Sequence, residues 1–167
     1  MSQPAMYDQT AFLTGMNPAY IPPGFDGAFR QPFVYTISFI NIGGAGAVVA
    51  GTANIQNDSY FVVVQQAADI KDNATGLVDV QPNIAPVLVN LFDSSSGKTL
   101  SDNPVPIGAW FGNVFMPYLW LARAQVFRPG GQIQATVTNN LAAAQNIRLS
   151  FIGFKVYPKV PDDFSQM

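Results

Sequence analysis

Few side chains in this chain could do chemistry, and the missing types narrow the options first. There is no His, no Cys and no Glu, and all ten acids are Asp. Without His the usual proton acceptor near neutral pH is gone, and so is the commonest metal ligand. A His- or Cys-ligated zinc site, a His-dependent triad and a Cys nucleophile are excluded. Two Asp carboxylates could in principle cleave a glycoside, but no Asp pair is marked out by the sequence. Asp69, Asp72, Asn73 and Asp79 are oxygen donors of the kind Ca²⁺ takes. Their spacing does not match an EF-hand loop and no Glu closes it, so a solvated loop is expected. Ser residues occur without a Gly-x-Ser-x-Gly elbow. Gly43-Gly44-Ala45-Gly46 has neither P-loop spacing nor a nearby Lys or Arg, and reads as a turn. Trp110, Tyr118 and Trp120 would stack on sugars if exposed, and core burial is the expectation. No catalytic, metal or cofactor-binding residue is assigned.

The elements that would position these groups read as strands. Side chains on a strand alternate between faces, so period-two patterns mark a half-buried strand. In 33–40, Phe33, Tyr35, Ile37 and Phe39 face a core and Thr36 and Ser38 face out, with Val34 and Ile40 at the ends. Val48–Ile55 and Tyr60–Gln65 follow, joined by the polar turn Gln56-Asn57-Asp58-Ser59. Phe61–Val64 does not alternate, which fits burial on both faces. Pro86–Asp93 puts Val87, Val89 and Leu91 on one side. Residues 99–112 carry Pro104 and Pro106 and read as an irregular crossing loop. Tyr118–Leu121 is a strand candidate. After the turn Arg128-Pro129-Gly130-Gly131, the segment Gln132–Asn139 alternates most cleanly, with Ile133, Ala135 and Val137 inward. The last strand, 147–157, changes phase after Phe151. Either a bulge beside Gly153 absorbs one residue, or the strand is central and buried on both faces. Both remain open. It is too apolar to be an edge exposed to water.

About eight strands with Gly/Pro turns and no convincing helix predict an all-β, antiparallel β-sandwich or barrel. The strands 33–40 and 147–157 are expected to pair in the middle of one sheet, as in a jelly roll. The 167 residues are expected to divide into an extended N-terminal arm over 1–29, a jelly-roll-like sandwich over 30–157 and a short tail over 158–167.

Charge supplies the functional argument. Only 11% of the residues are charged, against about 25% in an ordinary soluble domain. A surface covered by neighbours needs less charge than a free one. The four Lys and four Arg are scattered, so no basic patch is set to neutralise phosphates and no nucleic-acid partner is expected. Residues 31–57 are uncharged but interrupted by polar residues and glycines, so no membrane-spanning run is read. No Lys or Arg precedes Arg30, so the start lacks a signal-peptide basic region. The expectation is a product made and kept in the cytoplasm until it assembles. Residues 1–29 combine Pro and Gly with Tyr7, Phe12, Tyr20, Phe25 and Phe29. Proline and glycine oppose a regular element, and disordered tails are seldom so aromatic. These five side chains are expected to anchor an arm on another subunit.

Several short motifs together resemble a known family. They are Arg30-Gln31-Pro32-Phe33; Ser96-Gly97-Lys98-Thr99-Leu100; Asn103-Pro104-Val105-Pro106; Phe111-Gly112; and Asn146 through Gly153, with Arg148 and Phe151. In this order the chain resembles the cement, or decoration, proteins on the outside of tailed bacteriophage heads. The resemblance covers roughly residues 30–157 and leaves out the arm. It implies a jelly-roll homotrimer that clamps neighbouring capsomers at local threefold positions, with the major capsid protein as partner. It implies no catalytic residues. The expected function is therefore a viral structural protein that cements the capsid exterior. The alternatives are a carbohydrate-binding β-sandwich, or a structural piece of the tail or head–tail junction.

Overall fold

The computed structural model describes residues 29–77, 87–112 and 118–157. The arm residues 1–28, the tail 158–167 and Asp79 lie outside the described residues, and with them Tyr7, Phe12, Tyr20 and Phe25. The elements are β1 (Phe29–Ile42), β2 (Ala47–Asn54), β3 (Tyr60–Asp72), β4 (Val87–Asp93), β5 (Lys98–Thr99), β6 (Val105–Pro106), a one-turn helix α1 (Ile107–Phe111), β7 (Leu119–Phe127), β8 (Gln132–Asn139) and β9 (Gln145–Tyr157).

Two antiparallel sheets form a sandwich. The first has the order β1-β9-β3-β7, the second β2-β8-β4-β5, with β6 also on β4. The pairs β1/β9, β2/β8, β3/β7 and β4/β5 nest one inside the next. The chain is thus one long hairpin rolled into two layers, a jelly-roll-like order. Alternation builds the core between the layers. Ile37 and Phe39 of β1, Leu91 of β4, Ile133 and Val137 of β8, and Leu149 of β9 are all buried there.

The expected pairing of the first strand with the last is present, from Phe29 opposite Tyr157 to Ile42 opposite Gln145. Its expected position is corrected: β9 is interior, but β1 is the edge strand of its sheet among the described strands. Phe29, expected as an arm anchor, opens β1 with its ring 5.7 Å from that of Tyr157. The stretch 99–112 is also more ordered than a crossing loop. Val105 and Pro106 pair with the edge of β4, a position that spares proline's missing donor. Ile107 and Phe111, four residues apart, share one face of α1 and are buried. The Phe111 ring meets that of Phe151 edge-on at 5.6 Å.

The phase change in β9 has a definite cause. Pairing with β1 runs without a break through Gly153, so β9 itself carries no bulge there. The extra residue is in β3, where Val63 faces Gly153 and Gln65 faces Ile152, leaving Val64 over. Beyond it β9 is buried on both faces: Lys155 on the core side, Phe154 and Val156 on the other.

Candidate interaction surface

The outer face of the first sheet carries the site. Strand pairing sets Val34 of β1 beside Ile152 of β9, Ile152 beside Gln65 of β3, and Gln65 beside Trp120 of β7. These four residues come from four distant stretches and form one row across the sheet. Pro32 lies opposite Phe154 in the neighbouring row. Together with Tyr118 they line a groove of about 760 Å³, none of whose lining residues is charged. Its floor is firm, since Phe154 and Val64 belong to a small buried cluster with Val62 and Val156. Its walls are open: Val34, Tyr118 and Trp120 are each about half exposed, at 49%, 51% and 48%. Farther along β1, Ile40 is 81% exposed. Scattered exposed apolar residues are ordinary, but a contiguous apolar surface marks an interaction site.

A polar and aromatic cluster supports the groove from the core side. Lys155 is 4% exposed, and its Nζ sits 4.1 Å from the centre of the Phe33 ring and donates to Oε1 of Gln56. A buried charge needs such partners. Phe33 packs on Tyr35, and Tyr35 packs edge-on against Phe61, with ring centres 4.8 and 4.7 Å apart. The Tyr35 hydroxyl accepts the Gln56 N–H at 3.0 Å. Burial pushes the Tyr35 hydroxyl above its ordinary range and the nearby Asp58 and Tyr157 act the same way, against the Gln56 hydrogen bond.

The sequence motifs fall into two groups. Arg30, Pro32 and Phe33 of β1 lie opposite Val156, Phe154 and Gly153 of β9. Arg148 of β9 lies between Ser38 and Asp69 on the adjoining strands. The second group flanks the other sheet. Pro104 is exposed, Val105 and Pro106 form β6, and Gly97 and Gly112 hold φ of +68° and +81°, values that favour glycine. The Phe111–Phe151 ring contact connects the groups. Sequence reasoning did not single out Val34, Gln65 or Ile152 for a site. Only an exposed Trp120 or Tyr118 was a usable signal.

The oxygen-rich stretch is a turn at the end of β3. Asp72 Oδ1 accepts from the N–H groups of Ala74 and Thr75 and from the Thr75 hydroxyl. The Thr75 bonds hold the Asp72 carboxyl below the ordinary carboxylate range. Asp69 pairs with Lys71 at 3.3 Å. Beside this turn Asn41, Asn73 and Asn146 bond one another in a closed ring. Among the described residues no three metal-ligating side chains gather, and no helix is long and apolar enough to cross a membrane.

No family model matches the chain, and no curated protein does. The functional reading therefore rests on the surface itself.

Proposed function

We propose that this protein is a non-catalytic structural protein that binds the outside of a bacteriophage capsid and cements neighbouring capsomers. The observation that carries the reading is the uncharged groove walled by Val34, Tyr118 and Trp120 on the outer face of a sheet. A free surface gains nothing from such a patch, whereas a covered one is stabilised by about 25 cal/mol per Å² of apolar area. A standard interface buries roughly 1,600 Å², and association costs offset part of that gain. Many copies acting together would resist outward pressure on the shell. The absence of His, Cys and Glu supports a role without chemistry. In this reading the chain self-associates as a homotrimer, meets the major capsid protein and resides on the virion exterior.

Cosedimentation with purified phage heads lacking the chain tests it. Full-length protein is expected to pellet with heads, and Trp120→Arg protein to stay in solution. Wild-type protein remaining in the supernatant would overturn the proposal.

One observation favours a second reading. Tyr118 and Trp120, expected in the core, are about half exposed and line the groove together with Gln65. Aromatic faces of this kind stack on sugars. Binding on a glycan array, lost in Trp120→Ala, would replace the capsid reading with a carbohydrate-binding one.

A further inference from the structure

The groove matches one stretch of this same chain in chemistry and in reach. We propose that residues 1–28 of a neighbouring copy lie in it, with the aromatic side chains of Tyr7, Phe12, Tyr20 and Phe25 as anchors between Val34 and Trp120. The inference rests on reading the chain as an assembling structural protein.

The chemistry is complementary. The groove has an apolar floor at Ile152 and Phe154 and no charged lining residue. Residues 1–28 hold four Pro, four aromatic side chains and only two charged ones, Asp8 and Asp26. Extended Pro-rich segments dock into aromatic-lined grooves because little conformational entropy remains to be lost. An aromatic side chain buries about 150–250 Å². Four of them approach the roughly 800 Å² per partner of a standard interface. β1, the edge of its sheet among the described strands, stands at the Val34 end of the row and offers backbone groups to an extended segment that passes over it.

The reach points to another copy. The segment joins β1 at Phe29, only five positions before Val34. Entering its own groove would require the segment to turn back over β1, whereas a neighbour's groove takes it without a reversal. Extended at about 3.3 Å per residue the segment spans about 90 Å, whereas a domain of this length has a radius of gyration of only about 15 Å. Pro22-Pro23 favours a locally extended backbone. Seating each copy's segment in the next copy is a head-to-tail contact, which closes into a ring when the rotation allows.

Full-length protein carrying Trp120→p-benzoylphenylalanine tests this. Isotopically light and heavy copies are reassembled together, irradiated and digested with trypsin. Arg30 is the first cleavage site, so the segment is released within one peptide. The expected product joins that peptide to the one containing position 120, with light–heavy pairs present. Combining Phe12→Ser and Tyr20→Ser is expected to lower its yield at least tenfold, with an unchanged far-UV circular dichroism spectrum. Val34→p-benzoylphenylalanine serves as a second probe should the first variant misfold. Cross-links confined to same-label pairs, or to other peptides, would overturn the inference. So would cross-links to capsid protein that form only when heads are added, an outcome that leaves the capsid reading intact. Head binding is read separately by cosedimentation of the wild-type chain. Heads bound without any segment–groove cross-link would overturn this inference alone, and a cross-linked assembly that leaves heads unbound would overturn the capsid reading alone.

Discussion

The carbonyl of Val62 occupies the place where a side chain on Gly153 would stand. The two strands approach this closely where Val64 bulges out of β3, and Gly153 lines the groove at the same point. Gly153→Ala must push backbone against backbone, which no side-chain rotation relieves. The expected loss is about 1–3 kcal/mol, the range of overpacked interiors. Urea unfolding checks it, and a variant as stable as the parent would show that β3 yields freely.

Lys155 and Phe33 form the second testable pair. Phe33→Leu removes the ring face beneath the ammonium while leaving it buried. A cost of about 1–2 kcal/mol is expected beyond any lost packing. Lys155→Met removes the charge together with its need for partners, and is expected to stay within about 1 kcal/mol of the parent. The contrast between these midpoints separates a cation–ring contact from simple volume.

Asn139 is fully buried, and its side chain joins two connections. Its amide donates to the carbonyls of Gly43 at 2.9 Å and Ala143 at 3.0 Å, and its oxygen accepts the Leu141 N–H at 3.0 Å. Asn139→Ala strands these groups. A loss of about 1–3 kcal/mol is expected in thermal or urea unfolding, with faster hydrogen exchange at Leu141.

Trp120→Ala and Tyr118→Ala should separate function from stability. Both side chains are about half exposed, so each change is expected to cost under about 1 kcal/mol. Head binding is expected to fall at least tenfold in a cosedimentation titration. A large stability loss with unchanged binding would make these rings part of the core in function.

Two titrations should appear in the pH profile of stability. The Asp72 carboxyl is held below its ordinary range by Thr75. Its contribution is present above the unfolded-chain value of about 4 and is lost as pH falls through the lower folded value. Tyr35 is raised by burial. Its contribution is present below about 10 and is lost as pH rises through the higher folded value. Asp72→Asn should flatten the acid limb. Thr75→Val keeps the backbone N–H and loses only the hydroxyl bond, so it should make that limb shallower in part. Tyr35→Phe should flatten the alkaline limb. Each is followed by unfolding midpoint against pH.

By itself the sequence determined what is set locally. The inward set of β8, Ile133, Ala135 and Val137, follows from period two, because successive side chains on any strand point oppositely. The turn at Arg128–Gly131 follows from Pro129 and from Gly130, whose φ is +72° and whose place lets the Gly131 N–H reach the Arg128 carbonyl at 3.0 Å. Tertiary structure alone decided what depends on lateral order. The phase change in β9 is visible in its own residues, but its cause sits on β3, over eighty residues earlier, in a bulge at Val64. Val34 and Trp120 likewise share one groove only because β9 and β3 come between β1 and β7. Side-chain direction is a property of one strand and can be read along it. Which strands become neighbours is fixed by pairings between distant segments, and apart from the pairing of β1 with β9 no local pattern announced them.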